Sequence, residues 1–159
     1  MSQQLELNGE NTSKAVESYV GSAPDGRRAE IFKDVEKTLG LVPGFFKMLP
    51  PTHLDGEWRI FRDFQLGRQT ALEPKIKELI GLAVASVMQC PYCTYFHTVA
   101  AGIHHASAQE VDEALLMAKQ TAGWSTFLSG ARYDLSQLKQ EMGVIKDHLA
   151  KAQIGRAHV

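Results

Sequence analysis

The chain has 159 residues, of which 44% are hydrophobic, and its formal net charge is −1. This length suits one domain with a core that needs no disulfide support, and the charge gives no basic patch for nucleic acid or an anionic membrane. No apolar run reaches the roughly 18 residues of a membrane-spanning helix, and the polar start MSQQLELNGENTSK does not resemble a signal peptide, so a cytoplasmic location is predicted.

Three regions are predicted along the chain. Residues 1–25 are polar and indicate a loose N-terminal arm with one short helix near residues 13–19. Residues 26–153 are expected to form one domain. The last six residues, IGRAHV, match an in-frame translation of a common sequencing-adapter oligonucleotide, so residues 154–159 are predicted to be a non-native tail.

Three helices are predicted between residues 27 and 67. In the first, apolar side chains recur at helical spacing and Gly40 marks the stop; they are Ile31, Phe32, Val35 and Leu39. A short helix over residues 43–48 is interrupted by two prolines. The third helix ends at Gly67, and one face of it carries Leu54, Trp58, Phe61 and either Phe64 or Leu66.

The central segment, residues 74–88, fits either a helix or a buried strand. Ile80, Val84 and Val87 suit a strand. The apolar run over residues 79–88 is, however, longer than the usual strand of about five or six residues, is rich in alanine and follows charged helix-forming residues. Pro74 also suits a first helical turn, where its missing N–H costs nothing. A helix is therefore predicted.

Three more helices follow. Pro91 pushes Cys90 out of the α region and opens a helix that stops at Gly102. Ser107 and Glu110 form a capping box for the next helix. After Gly123 a long helix is expected over residues 125–150, with one buried stripe made of Phe127, Leu128, Ala131, Leu135, Leu138, Met142, Ile145 and Leu149.

The predicted fold class is all-α, because no segment shows the alternation or the two-residue turns of a β-sheet. This bears on the sequence from Cys90 to Cys93, Cys-Pro-Tyr-Cys, which by itself is typical of a glutaredoxin. Glutaredoxins and thioredoxins carry the dithiol just after the first strand of a βαβ unit. Here the dithiol follows predicted helices, so that class is disfavoured.

The dithiol falls at the start of a predicted helix. With Pro91 as the first helical residue, Cys90 is the N-cap and Cys93 the third helical residue, so the helix dipole stabilises a thiolate at either sulfur. At about 100° per residue, Cys90, Cys93 and His97 share a sector of about 60°. His97 can then take or return a proton. Glu78 begins an apolar run, where a carboxylate needs a partner or a function, and it is a candidate proton acceptor.

Together these four residues reproduce the motif Glu-x11-Cys-x2-Cys-x3-His. In this the chain resembles the alkylhydroperoxidase D proteins of the carboxymuconolactone decarboxylase superfamily, most clearly over residues 70–120. The upstream segment LGLVPGFFKMLPPTHLDGEW is also similar in style to the family. The resemblance implies an all-α alkylhydroperoxidase D-like helical bundle, a homo-oligomer of two, three or six chains, and hydroperoxide reduction by a dithiol without metal, haem or other cofactor.

The resemblance also implies a role for each site residue. Cys93 matches the cysteine that attacks the peroxide, and Cys90 matches the one that resolves the sulfenic acid to a disulfide. Glu78 and His97 match the proton-relay pair. The N-cap position by itself favours Cys90 as the thiolate of lower pKa, so the two arguments give opposite orders, and the family's order is adopted. Tyr92 stands where the characterised peroxidase has a histidine, and tyrosine is a poor base at neutral pH.

The predicted function is a thiol-dependent alkylhydroperoxidase with peroxiredoxin activity, reduced again by a lipoyl protein, a thioredoxin-like protein or a small thiol. Two alternatives are a non-catalytic redox sensor or interaction module and a carboxymuconolactone-type decarboxylase, whose members lack the dithiol. Inert core thiols are a third. A zinc site built from the two cysteines, His97 and either His104 or His105 is a fourth, disfavoured because ligands crowded on one helix close a tetrahedron awkwardly.

Overall fold

The structure, a computed structural model, describes the backbone of residues 25–156 and the side chains of residues 26–151. Within those residues every regular element is helical, so the predicted all-α class is confirmed. The predicted arm and its short helix at residues 13–19 lie outside the described residues, apart from Asp25, where the first helix begins. None of the described helices is both long enough and apolar enough to cross a membrane.

The described helices follow one another with short connections. They are α1 (Asp25–Leu39), α2 (Gly44–Lys47), α3 (Pro51–Arg59), a π-helical segment (Ile60–Gln65), α4 (Pro74–Val87), α5 (Pro91–Ile103), α6 (Ala108–Gly130) and α7 (Leu135–Arg156). The helical interpretation of residues 74–88 is thus confirmed, and the strand alternative is wrong. The described chain divides into two compact units between Pro74 and Lys75.

The first unit is built around the apolar faces of α1 and α3. These two helices pack against each other, and α3 continues directly into the π-helical segment. Five side chains form the buried cluster: Ile31, Val35, Phe46, Leu54 and Trp58. Four of them lie on the faces that the spacing predicts for α1 and α3, and Phe46 comes from the short helix α2, so this part of the sequence prediction is confirmed.

Trp58 links this core to a polar network at its edge. Its indole is 2% exposed and meets the Phe46 ring edge to face, with centroids 5.5 Å apart. The indole N–H donates to Asp34 Oδ2 at 2.7 Å, and Arg62 Nη1 donates to the same oxygen at 2.7 Å. These bonds, first that of Trp58 and then that of Arg62, hold the pKa of Asp34 below its ordinary value. The N–H of the buried indole therefore has a hydrogen-bond acceptor.

The third predicted helix departs from α-helical geometry. From Ile60 to Gln65 it is a π-helix, in which the N–H of Leu66 donates to the carbonyl of Phe61 at 2.9 Å. The wider turn shifts the register of the residues beyond it. Phe61 still packs on the core. Of the two alternatives predicted for the next position on the buried face, Phe64 is 57% exposed and Leu66 is partly buried, so only the Phe64 alternative is wrong. Gly67 ends the segment, where a Cβ would collide with the carbonyl oxygen of Asp63.

In the second unit, three helices end at a non-glycine residue with left-handed backbone geometry. The residues are Gln89, His105 and Arg132, with φ between 52 and 61°. After each of them, the next N–H donates to the carbonyl five residues earlier: Cys90 to Ala85, Ala106 to Ala101, and Tyr133 to Leu128. This 6→1 bond is that of a Schellman motif. It ends one helix and turns the chain for the next within a few residues.

The predicted break at Gly123 is wrong. Helix α6 begins at the predicted capping box and runs through Gly123 to Gly130. A helix interior tolerates a glycine at a cost of about 1 kcal/mol relative to alanine. The chain instead turns at Arg132, and the backbone N–H of Gln137 donates to Asp134 Oδ1 at 2.8 Å to start α7. Helix α7 continues to Arg156, so its backbone includes the first three residues of the predicted tail.

The apolar stripe predicted to be buried on a helix over residues 125–150 is largely exposed in this chain. Its members Phe127, Leu135, Met142, Ile145 and Leu149 are 46 to 64% exposed. The prediction required one continuous helix, but the turn at Arg132 divides these residues between α6 and α7. The second unit consequently carries a large apolar surface that its own residues do not cover.

Candidate active site

The turn between α4 and α5 fixes the position of the dithiol. Gln89 takes left-handed geometry and Cys90 N–H donates to the Ala85 carbonyl at 3.1 Å, which ends α4. Pro91 is the first residue of α5, so Cys90 becomes its N-cap. Its backbone is extended, as the proline after it requires. The end of one helix therefore passes directly into the start of the next at the first cysteine, as the sequence predicts.

Cys90 and Cys93 are free thiols in direct contact. Their Sγ atoms are hydrogen-bonded at 2.7 Å, and the backbone N–H of Cys93 donates to Cys90 Sγ at 3.3 Å. Cys90 is half-buried and Cys93 is exposed. The two sulfurs are thus close enough to form a disulfide with a small movement, and Cys93 is the one that a molecule in solution reaches first.

The two thiols differ in acidity. The hydrogen bond from Cys93, together with the N–H of Cys93, lowers the pKa of Cys90 from its ordinary value. The hydrogen bond with Cys90 in turn raises the pKa of Cys93, and burial adds to the rise. Of the two thiols, Cys90 is therefore the first to lose its proton as the pH rises. This agrees with the N-cap argument from the sequence.

Glu78 on α4 and His97 on α5 form a hydrogen-bonded pair that joins the two helices. His97 Nδ1 is 2.7 Å from Glu78 Oε2. Glu78 is fully buried, whereas the His97 side chain is 19% exposed. Among the described residues, the other carboxylate oxygen, Oε1, has no hydrogen-bond partner. Since an unpaired buried oxygen is costly, this carboxylate retains the capacity to accept a proton or a further hydrogen bond.

Gly81 is a site residue that the sequence interpretation missed. A Cβ at this position would lie 2.5 Å from Nδ1 and 2.7 Å from Nε2 of His97, and closer still to Cε1. The imidazole therefore rests directly against the α4 backbone. The sequence feature that could have pointed to Gly81 is a glycine inside a strongly helical segment, because such a glycine usually has a packing or functional reason.

All four predicted site residues lie in the second unit, Glu78 on α4 and the other three at the start and first turns of α5. His97 follows Cys93 by one helical turn. Tyr92, between the cysteines, is 86% exposed and points into solvent. Proton transfer at this site would therefore depend on Glu78 and His97.

The described residues contain no group of three or more His, Cys, Asp and Glu side chains arranged to hold a metal ion. His104 and His105, the remaining candidate zinc ligands, lie at the other end of α5, where His104 is the C-cap and His105 takes left-handed geometry.

An open apolar groove adjoins the end of α4 in the same unit. It measures about 320 Å³ and is lined by Ala83, Val84, Val87, Met88, Met117 and Ala118, among others. Met88, which is 72% exposed, precedes Cys90 by two residues. Exposed apolar surface therefore extends close to the dithiol along the chain.

The chain is similar to known proteins in its family pattern and its fold. Residues 58–133 match the model of the Carboxymuconolactone decarboxylase family. The fold is similar to the crystal structure of the alkylhydroperoxidase AhpD core from Rhodospirillum rubrum, with a TM-score of 0.61 and 22% identity over 85% of this chain and 93% of that one. No curated protein sequence is significantly similar to the chain. The segment that matches the family model contains the Glu78–His97 pair and both cysteines, and the chain has an alkylhydroperoxidase D-like fold.

Proposed function

We propose that the chain is a dithiol peroxidase that reduces alkyl hydroperoxides. The observation that carries the proposal is the contact of two thiols at the start of α5, one turn before a histidine that is hydrogen-bonded to a buried carboxylate. An exposed thiol one helical turn from a base and a second thiol in contact with it are the parts that a two-cysteine reduction requires. The family match and the fold support the same chemistry.

In the first step, Cys93 attacks the peroxide. His97 removes the thiol proton of Cys93, and the sulfur forms a bond to the terminal oxygen of the hydroperoxide as the O–O bond breaks. The alkoxide leaves with the proton held at His97, so the products are an alcohol and a sulfenic acid on Cys93. The exposure of Cys93 and its place one turn from His97 support this order. A thiolate whose pKa is high is also intrinsically more nucleophilic.

In the second step, Cys90 resolves the sulfenic acid. Its lowered pKa favours the thiolate, which is the form that attacks Cys93 Sγ. The S–S bond forms and the S–O bond breaks. The hydroxide takes a proton that His97 has gained from solvent, which replaces the proton that Cys90 released on ionising, and leaves as water. The fully buried Glu78 holds the imidazole in place through the hydrogen bond to Nδ1.

A dithiol reductant completes the cycle. Its thiolate attacks the exposed sulfur of Cys93, and Cys90 leaves, because the thiol of lower pKa is the better leaving group. The second thiol of the reductant then releases Cys93. The reductant, a lipoyl protein, a thioredoxin-like protein or a small dithiol, carries away the two electrons. This requirement fits a reducing compartment such as the cytoplasm.

The proposal is tested by peroxide consumption with an alkyl hydroperoxide and a panel of dithiol reductants. We expect turnover that is abolished in Cys93→Ser and falls about 10²-fold in His97→Gln, which removes the base. The matched control is His104→Gln on the same helix, which should retain wild-type turnover.

Two results would contradict the proposal. Decarboxylation of γ-carboxymuconolactone without peroxide turnover would identify a decarboxylase. Oxidation of the thiols by one equivalent of peroxide, with no further turnover under any reductant, would identify a redox sensor.

We further propose that the chain forms a homo-oligomer through its second unit. The described residues expose large apolar side chains on each of α4, α5, α6 and α7. Monomeric proteins rarely expose contiguous apolar patches larger than a few hundred Å². Copies of the same chain that cover this surface would remove it from water.

A further inference from the structure

Gly81 stands at a position where a helix would ordinarily carry a side chain. It lies in the interior of α4, three residues after Glu78, and glycine is the least favourable residue for a helix interior apart from proline. Residues three apart lie on the same side of a helix. Gly81 and Glu78 therefore present one surface of α4 to the same neighbour, the imidazole of His97.

The imidazole occupies the space that a side chain at position 81 would take. Three of its five ring atoms, Nδ1, Nε2 and Cε1, lie within 2.7 Å of a Cβ built on Gly81, well inside van der Waals contact. The other helical glycines of this unit differ. A Cβ at Gly102 on α5, or at Gly123 on α6, meets nothing within 4 Å.

The position of the ring determines its hydrogen bond. Nδ1 lies 2.7 Å from Glu78 Oε2 while the ring occupies the space beside Gly81, so a side chain at position 81 would displace the ring from this hydrogen bond. The hydrogen bond made by one nitrogen of a histidine sets which nitrogen is protonated. With Nδ1–H held on the carboxylate, Nε2 is the nitrogen left to exchange a proton with a thiol.

We infer that Gly81 is a positioning residue, whose missing side chain seats His97 against α4 so that Nδ1–H bonds to Glu78 and Nε2 serves the dithiol. Its effect on peroxide turnover rests on the proposed function. Its effect on the histidine does not, because the ring position and tautomer exist in the resting protein.

The test compares Gly81→Ala with Gly102→Ala. The ¹⁵N signals of the His97 ring, assigned by their loss in His97→Gln, report its tautomer by long-range ¹H–¹⁵N correlation. We expect wild type and Gly102→Ala to show the Nδ1–H form and Gly81→Ala to lose it. Peroxide turnover should fall about 10²-fold in Gly81→Ala alone, the loss expected when a general base is misplaced. A folded Gly81→Ala protein with unchanged His97 signals would overturn the inference.

A double variant keeps the test decisive if Gly81→Ala does not fold. In Gly81→Ala/His97→Ala the ring that clashes is absent. Folding of this double variant to the same degree as His97→Ala would support the inference, because the clash is then specific to the imidazole. Failure of the double variant to fold, where His97→Ala folds, would overturn it. If wild type lacks peroxide turnover, the proposed function fails, and the ring signals still decide the role of Gly81.

Discussion

Cys90 and Cys93 occupy different surroundings although they are separated by two residues. Cys90 is half-buried, caps α5 and accepts the Cys93 N–H, and Cys93 is exposed one turn before His97. The hydrogen bond between the sulfurs lowers the pKa of the inner thiol and raises that of the outer one. The greater accessibility of the outer sulfur suits an attacking cysteine, and the half-buried inner sulfur in contact with it suits a resolving one.

The order of attack is tested by replacing one cysteine at a time. With Cys90→Ser, no resolving thiol remains, so one equivalent of peroxide should leave a long-lived sulfenic acid on Cys93. Dimedone trapping followed by mass spectrometry should detect the adduct at that residue. With Cys93→Ser, the remaining thiol is half-buried and lies two helical turns before His97, so we expect a reaction about 10²-fold slower, the loss expected when a general base does not serve the attacking thiol. Rapid dimedone labelling of Cys90 in Cys93→Ser would reverse the order.

The sequence was sufficient to place the dithiol at the start of a helix, but not to predict how the residues around it pack. Spacing along two predicted helices brought Glu78, Cys90, Cys93 and His97 into consideration because helical periodicity relates positions on one element. Gly81 was not identified, since its importance depends on where the ring of His97, on another helix, comes to rest. Contacts between elements are set by tertiary packing, which one sequence does not reveal.

At the scale of elements, an ion pair joins the starts of α4 and α6. Lys75 Nζ donates to Glu110 Oε1 at 2.6 Å, while Oε2 of the same carboxylate accepts the Ser107 N–H at 2.8 Å in the capping box. These bonds, that of Lys75 first, lower the pKa of Glu110 from its usual 4.5 to about 2. One carboxylate thus serves both a helix start and the packing of two helices.

The contribution of Glu110 should appear in the pH dependence of the free energy of unfolding. Because its pKa is lower in the folded chain than in the unfolded one, its stabilising effect is present above pH 4.5 and is lost as the pH falls towards 2. Glu110→Gln lacks this effect, so we expect it to be less stable than wild type at pH 6 and to approach wild type at pH 2. Urea unfolding at a series of pH values measures the difference.

The matched control for this experiment is Glu113→Gln. Glu113 lies one turn further along α6 and accepts a hydrogen bond from the Gln109 side-chain amide. Its replacement removes the same charge from the same helix without touching Lys75 or the cap. An equal loss of stability in both variants at pH 6 would mean that the ion pair and the cap have no particular effect.

The helix ends show where sequence reasoning about elements stops. Proline and a capping box predict the starts of α4, α5 and α6 correctly, because these signals act within a single turn. The ends are less predictable. They fall at left-handed Gln89, His105 and Arg132, whereas the sequence assigns the ends of α5 and α6 to Gly102 and Gly123. A non-glycine residue takes this geometry at some cost, which the packing of the helices on either side must offset.

At the scale of the whole molecule, the exposed apolar residues are the feature that the single chain does not account for. On α6 the Trp124 and Phe127 rings meet edge to face with centroids 6.0 Å apart, and both are more than half exposed. They border an open apolar depression of about 270 Å³. Aromatic residues of this kind are enriched at the centres of protein interfaces. This pair is therefore the best place to test the proposed homo-oligomer.

Phe127→Glu should weaken the assembly, because it puts a charge into a surface that other copies are proposed to cover. A central aromatic residue in an interface commonly contributes about 2 kcal/mol or more, which corresponds to roughly 30-fold weaker association. Sedimentation velocity over a range of protein concentrations should show a shift towards smaller species. Ser125→Glu is the matched control, since it adds the same charge on α6 about 200° around the helix from Phe127.

A wild-type chain that stays monomeric at every concentration would contradict the proposal. Equal sedimentation of the Phe127→Glu and Ser125→Glu variants would also contradict it. If Phe127→Glu alone dissociates, the stripe that the sequence marks as buried is buried after all, between chains.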